Sequence, residues 1–195
     1  VTDLADLQPG VALLAMDFQN AIVEMIPEPR RQRVVANATR VLQQARDAGV
    51  PVVHVAVRFR EGYPEVHAGN KGFAAAKAAG RLLEGTPGAE IHAAFTPRAG
   101  EPVVTKRRVG AFSTTDLRTI LGAMGARTLV LTGLVTGGVV LTTVREAADL
   151  DFSVVVVGDA CDDADEEVHR VLVQKVFPRQ ATVIGTDEVG ALLRR

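Results

Sequence analysis

Apolar residues along this chain collect in six short, nearly unbroken runs, and between the runs they recur every three or four positions. The runs cover residues 11–16, 51–57, 102–105, 129–133, 152–157 and 181–184. A short apolar run without polar alternation predicts a strand covered on both faces, as in a parallel sheet. The spacing between runs predicts helices. Val34, Val35, Val41 and Leu42 share one face of a helix over 29–48, which Gly49 stops. Further helices are expected over 73–83, over 115–124 with Ser113 or Thr114 as cap, from the Gly137-Gly138 pair to about Leu150, over 163–176 and over 187–193. Strands that alternate with helices pair in parallel through right-handed crossovers. The predicted fold class is therefore α/β: a three-layer α/β/α sandwich on a six-stranded parallel sheet, Rossmann-like, with residues 1–195 forming a single domain.

The pattern loosens over 58–100, which is rich in Gly and Pro and reads as surface excursions above the sheet. Ligands in such sheets sit beyond the C-terminal strand ends. That directs attention to Asp17, Arg58, Lys106, the corner at 134–139 and the acidic run at 159–163. The corner follows the central strand, in LVLTGLVTGGVVLTTVRE at 129–146, and its small residues let backbone approach a ligand closely. Nucleophilic enzymes often place the attacking side chain at such an elbow. Here the residues offered are Thr136, Gly137, Gly138 and Val139, none a strong nucleophile.

Composition narrows the partners. The 22 basic and 23 acidic residues leave a net charge of −1, which argues against nucleic acid or an anionic membrane as the main partner. No apolar run reaches the length of a membrane span, and the first ten residues lack the basic and apolar regions of a secretion signal, so a cytoplasmic location is expected. Cys161 is the single cysteine, so neither an internal disulfide nor a thiolate zinc site can form. The four histidines, His54, His67, His92 and His169, include no pair at ligand spacing, so no metal is expected. His54, inside a strand, reads as a satisfied core residue, and His169, mid-helix, as a surface one. GLVTGG fits neither a phosphate-binding loop nor a dinucleotide fingerprint, so no cofactor is expected.

Three side chains carry candidate chemistry. Asp17 directly follows the first strand, where it either caps the turn or serves as a general acid or base. Lys106 ends the third strand. It either joins Arg107 and Arg108 in a solvated basic turn or pairs with Asp17 and sets its charge. Cys161 lies among aspartates that oppose thiolate formation, and reads as a buried structural thiol; Asp159, Asp162 and Asp163 read as turn and helix-start residues.

Taken together, ALLAMDFQNAIV at 12–23, VVTKRRVGAFSTTDLRTIL at 103–121 and the segment 129–163 resemble the isochorismatase-like hydrolase superfamily, also called the cysteine hydrolases. The resemblance covers most of the chain and is weakest over 58–100. It implies a six-stranded parallel sheet between helices. It also implies a triad of Asp, Lys and elbow Cys, whose positions fall on Asp17, Lys106 and Val139. Valine cannot attack a carbonyl, so amide hydrolysis through a thioester is excluded. True isochorismatases also lack the cysteine; their Asp acts as general acid in cleaving a vinyl ether, and water completes the reaction. The resemblance further implies a non-proline cis peptide at Val135–Thr136, a substrate-side role for Gln19, and a homo-oligomer.

The expected activity is hydrolysis of a small organic molecule by acid/base chemistry through Asp17 and Lys106. The pocket expected for it is lined by Phe18, Gln19, Arg58, Phe112, Val135, Thr136, Gly137 and Gly138, with the elbow N–H groups available to an oxyanion. The alternative is a catalytically inactive superfamily member that binds small molecules or acts as a scaffold.

Overall fold

A computed structural model describes residues 10–193 of the protein. The stretch read for a secretion signal lies, except for Gly10, outside the described residues, as do Arg194 and Arg195 of the expected domain. Six strands, β1 (Val11–Met16), β2 (Val52–Val57), β3 (Val103–Lys106), β4 (Thr128–Leu134), β5 (Ser153–Asp162) and β6 (Thr182–Ile184), form one sheet in the order β3-β2-β1-β4-β5-β6. Every pairing is parallel. The sheet grows outward from β1 in one direction through β3, then returns to the other side of β1 with β4. The point where the direction reverses lies between β1 and β4, and a crevice opens beyond the strand ends there.

Alternation along each strand splits the interior in two. On β1, Leu13 and Ala15 face one cluster while Ala12, Leu14 and Met16 face the other. The first cluster is closed by α2 (Arg30–Asp47), through Val34, Ala38, Val41, Leu42 and Ala45, and by α7 (Thr186–Leu193), through Val189 and Leu192. The second is closed by α4 (Leu117–Ala123), through Leu117 and Leu121, and by α5 (Leu141–Asp149), through Val144 and Ala147. Each fully buried Leu or Val contributes roughly 1.5–3 kcal/mol by leaving water, and these residues fill most of both faces, with Phe59, Phe95 and Phe177 buried among them.

Several boundaries differ from the sequence reading. A short helix, α1 (Asn20–Val23), follows β1 unannounced. The helix expected over 73–83 is α3 (Lys71–Ala78), because the Asn70 side chain accepts the Phe73 N–H at 3.3 Å and so fixes an earlier start. The helix at 115–124 begins only at Leu117, and its start is met by Thr115 Oγ1 at 3.3 Å rather than by Ser113 or Thr114. The expected strand end at Val157 is overtaken. Past a register shift in its pairing with β4, β5 resumes with Gly133 opposite Cys161 and Leu134 opposite Asp162. The bulge absorbs the Gly158-Asp159 break that looked like a stop. The expected helix over 163–176 starts later, as α6 (Glu166–Val171), because Asp165 accepts the N–H groups of Glu167 and Val168; wider turns follow to Val176.

The segment 58–100 is more than a surface excursion. Phe59 is fully buried and packs edge-on against Phe73 at 5.0 Å between ring centres. Phe95, also fully buried, stacks on Phe18 at 4.0 Å. Its scattered aromatics thus join the segment to the first cluster, at the end of the sheet. Among the described residues no helix is long and apolar enough to cross a membrane.

Candidate active site

β1 ends as Asp17 enters the left-handed region at φ 57°, which Asp tolerates better than most residues. The turn sets its carboxylate beside the end of β3, two strands away. There Lys106 Nζ lies 2.8 Å from Asp17 Oδ2, with both side chains almost completely out of water. Lys106 also donates to the Arg108 carbonyl at 3.1 Å. The second oxygen, Asp17 Oδ1, is buried and has no hydrogen-bond partner. Burial raises the proton affinity of Asp17, and the Lys106 ammonium opposes that rise without cancelling it.

The pair forms the floor of a cavity of about 290 Å³. One wall is the end of β4 and the corner after it: Leu134, Val135, Gly138 and Val139. The roof is α3, through Gly72, Phe73 and Ala76, and Arg81 stands at the rim. None of the described lining residues is Ser, Thr, Cys, His or Tyr. The reactive groups in contact with the space are a carboxyl, an ammonium and a guanidinium.

The corner has the wide turn of a π-helix over Thr136–Val140, with Val139 buried on its inner side. The non-proline cis bond lies at Leu134–Val135, one residue before the expected Val135–Thr136. The corner's N–H groups are largely committed. Gly137 donates to Asp163 Oδ2 at 2.7 Å and Gly138 to the Val135 carbonyl at 3.0 Å, so neither is free for an oxyanion.

Of the residues expected around the pocket, Val135 and Gly138 line it; Phe18, Gln19, Arg58, Phe112, Thr136 and Gly137 do not. Phe18 is held in its stack with Phe95. Gln19 acts as a backbone surrogate: its amide donates to the Val57 and Ala89 carbonyls at 2.8 and 2.7 Å and accepts the Val57 N–H at 2.8 Å. It thereby fixes the end of β2 beside Asp17. Arg58 reaches the Ala89 carbonyl and pairs with Glu90 at 3.5 Å. Phe112 stacks on Phe152, 6.0 Å away. Thr136 is buried and shares a 2.8 Å hydrogen bond with His169, which is therefore half-buried rather than a surface residue.

Sequence reasoning missed the roof and rim. Phe73 and Ala76 sit in the apolar cluster GFAAAKAA inside a polar segment, and that is the available signal. Arg107 is another surprise. It is no solvated turn residue but pairs with Glu65 and Glu84 and donates to the Arg58 carbonyl, tying the roof segment to the end of β3. Cys161 is buried, and burial pushes its thiol up to about 12. Asp159, expected as a turn residue, accepts from both the N–H and the hydroxyl of Thr186. Among the described residues no group of three or more His, Cys, Asp or Glu could hold a metal ion.

Residues 11–188 match the family model of the isochorismatase domain. The chain belongs to the isochorismatase family. It is 33% identical over 185 residues to a probable isochorismatase of Pseudomonas chlororaphis, covering 91% of this chain and 83% of that one. It is 32% identical over 177 residues to the phenazine biosynthesis protein PhzD of Pseudomonas fluorescens, again over 91% and 83%. A crystal structure of an isochorismatase family protein from Desulfovibrio vulgaris superposes with a TM-score of 0.84 at 28% identity, over 96% of this chain and all of the other. The six-stranded parallel sheet is thus the isochorismatase-family fold.

Proposed function

We propose that this isochorismatase-family chain hydrolyses a small organic molecule by proton transfer from Asp17, without a protein nucleophile. The observation that carries the reading is the Asp17–Lys106 pair on the floor of a cavity whose described lining offers no thiol or hydroxyl. Asp17 Oδ1, free of partners, is the oxygen that presents the proton. Lys106, held at 2.8 Å, takes up the negative charge that appears on the carboxylate once the proton has left.

A vinyl ether suits such a site. Protonation of its terminal carbon makes an oxocarbenium ion, water adds to that ion, and the hemiketal collapses to a carbonyl compound and an alcohol. The proton lost by the water returns to Asp17, so the cycle balances. The likeness to a probable isochorismatase supports this reaction class. A thioester route has no side chain to run on, since Val139 occupies the corner.

The experiment is a turnover screen of small vinyl ethers, esters and amides with the wild type, followed by Asp17→Asn on whichever substrate is consumed. Loss of a general acid should lower kcat by roughly 10²- to 10⁴-fold. Undiminished turnover in that variant removes the reading.

A further inference from the structure

The corner that carries Val139 is held irregularly from within. Its turn is too wide for regular helical bonding, the Val135 carbonyl accepts from Gly138 at 3.0 Å and from Val140 at only 3.5 Å, and Gly138 sits at a non-helical φ −103°, ψ −105°. Further anchors come from outside the cavity, from the loop between β5 and α6 and from α6 itself. Asp163 Oδ2 accepts the Gly137 N–H at 2.7 Å, and His169 Nδ1 shares a 2.8 Å hydrogen bond with Thr136 Oγ1.

Asp163 is not spent as a helix cap, because Asp165 serves α6 in that role. Instead a buried carboxylate is turned toward a residue 26 positions earlier in the chain. The fit is close: a Cβ on Gly137 would stand 3.1 Å from Asp163 Oδ2 and 3.1 Å from Val168 Cγ1. Behind the loop, Arg30 at the start of α2 pairs with Asp162 and donates to the Asp163 and Ala164 carbonyls at 2.9 and 3.2 Å. A continuous set of contacts therefore runs from α2 through Asp163 to the cavity wall. Neither Asp163 nor His169 touches the cavity itself.

We infer that Asp163 and His169 are positioning residues, which set where Gly138 and Val139 stand against Asp17 by holding Gly137 and Thr136 from behind. The inference rests on the cavity above Asp17 being the reaction site, but its test does not need turnover. In a Val139→Cys background the introduced thiol reports the position of the corner relative to the Asp17–Lys106 pair. Its alkylation by iodoacetamide is followed against pH, with the modified peptide identified by mass.

Adding Asp163→Ala should move the midpoint of that profile by about half a pH unit or more, because a thiol's ionisation follows its distance from neighbouring charge. Asp163→Asn, whose amide oxygen can still accept the Gly137 N–H, should restore most of the parent profile, and His169→Ala should move it in part. A variant that melts earlier yet keeps the parent profile would assign Asp163 to stability alone and overturn the proposal. Should Asp163→Ala fail to fold, Arg30→Gln and His169→Ala decide by the same profile. A shifted profile in a chain without hydrolase activity would keep the positioning role and remove the reaction. An unshifted profile beside Asp17-dependent turnover would do the reverse.

Discussion

Gly133 presses directly on Met16: a Cβ at Gly133 would stand 2.8 Å from the Met16 carbonyl oxygen and 2.9 Å from its Cβ. Met16 is the last residue of β1 and precedes Asp17, so the strand that presents the acid and the strand that leads into the corner meet where only glycine fits. Gly133→Ala must push the two strand ends apart. The expected cost is about 1–3 kcal/mol from overpacking, read in urea denaturation. Activity should fall by more than stability explains, because the displaced residue adjoins Asp17. A variant as stable and as active as the wild type would show that the contact relaxes freely.

Lys106→Met keeps the bulk of the side chain and removes its charge. Asp17 is then left buried with no counter-ion. Breaking such a pair costs about 3–5 kcal/mol when the partner stays charged; Asp17 avoids part of that by keeping its proton. Burial already raises its proton affinity and Lys106 opposes the rise, so the sign is fixed: without Lys106 the carboxyl holds its proton to higher pH. For a general acid, activity is lost as the carboxyl ionises, so the alkaline limb of the rate profile should move upward in the variant. Chemical denaturation and a pH series of initial rates measure the two effects.

Acid stability should depend on Glu101. Arg46 grips both of its oxygens at 2.7 Å, the Arg98 N–H donates at 2.8 Å, and the ring of buried His54 lies 3.0 Å away. The Arg46 hydrogen bond first, with those of Arg98 and His54, holds the Glu101 carboxyl down at about 2 against an ordinary 4.5. A depressed carboxylate contributes stability that is complete above pH 4.5 and is lost as pH falls through about 2. His54 acts in the same direction. Burial lowers its affinity for a proton below the ordinary 6.5, so its contribution also fades on acidification. Glu101→Gln should cost about 2 kcal/mol at neutral pH through the lost charge-assisted bonds. It should also flatten the fall in stability between about pH 4.5 and about pH 2, the window that linkage sets. Urea melts of both proteins across that range make the comparison.

The strands were legible because apolar runs report burial on two faces, and the order of elements followed from their alternation. What misled was local punctuation. Gly158-Asp159 looks like the end of a strand, but β5 regains its pairing with β4 beyond it, which only the neighbouring strand could supply. Likewise the sequence reading expects Phe18 and Gln19 in the pocket, Gln19 through the family resemblance. Both turn away from it, one to Phe95 and the other to the backbone of Val57 and Ala89. Adjacency in sequence does not say which way a side chain leaves a turn.

The roof of the cavity was hidden for a different reason. Phe73 and Ala76 reach it through a helix with no buried residue of its own, so no strong amphipathic face marks it. His169 reads as a surface residue from its place in mid-helix alone. Its partner Thr136 lies 33 residues away in sequence, at the end of the neighbouring strand.

By itself, the order of residues along this chain determined six buried strands, the helices between them, a carboxylate at the end of the first strand and a valine at the corner after the fourth. Those features are local, since each is set by neighbours within a turn or a strand. The meeting of Asp17 with Lys106, the commitment of Gly137 to Asp163 and the closing of the space by α3 were decided only by the tertiary structure. They depend on which strands lie side by side and on where a long segment folds back, and such contacts gain their energy from burial shared between distant parts of the chain.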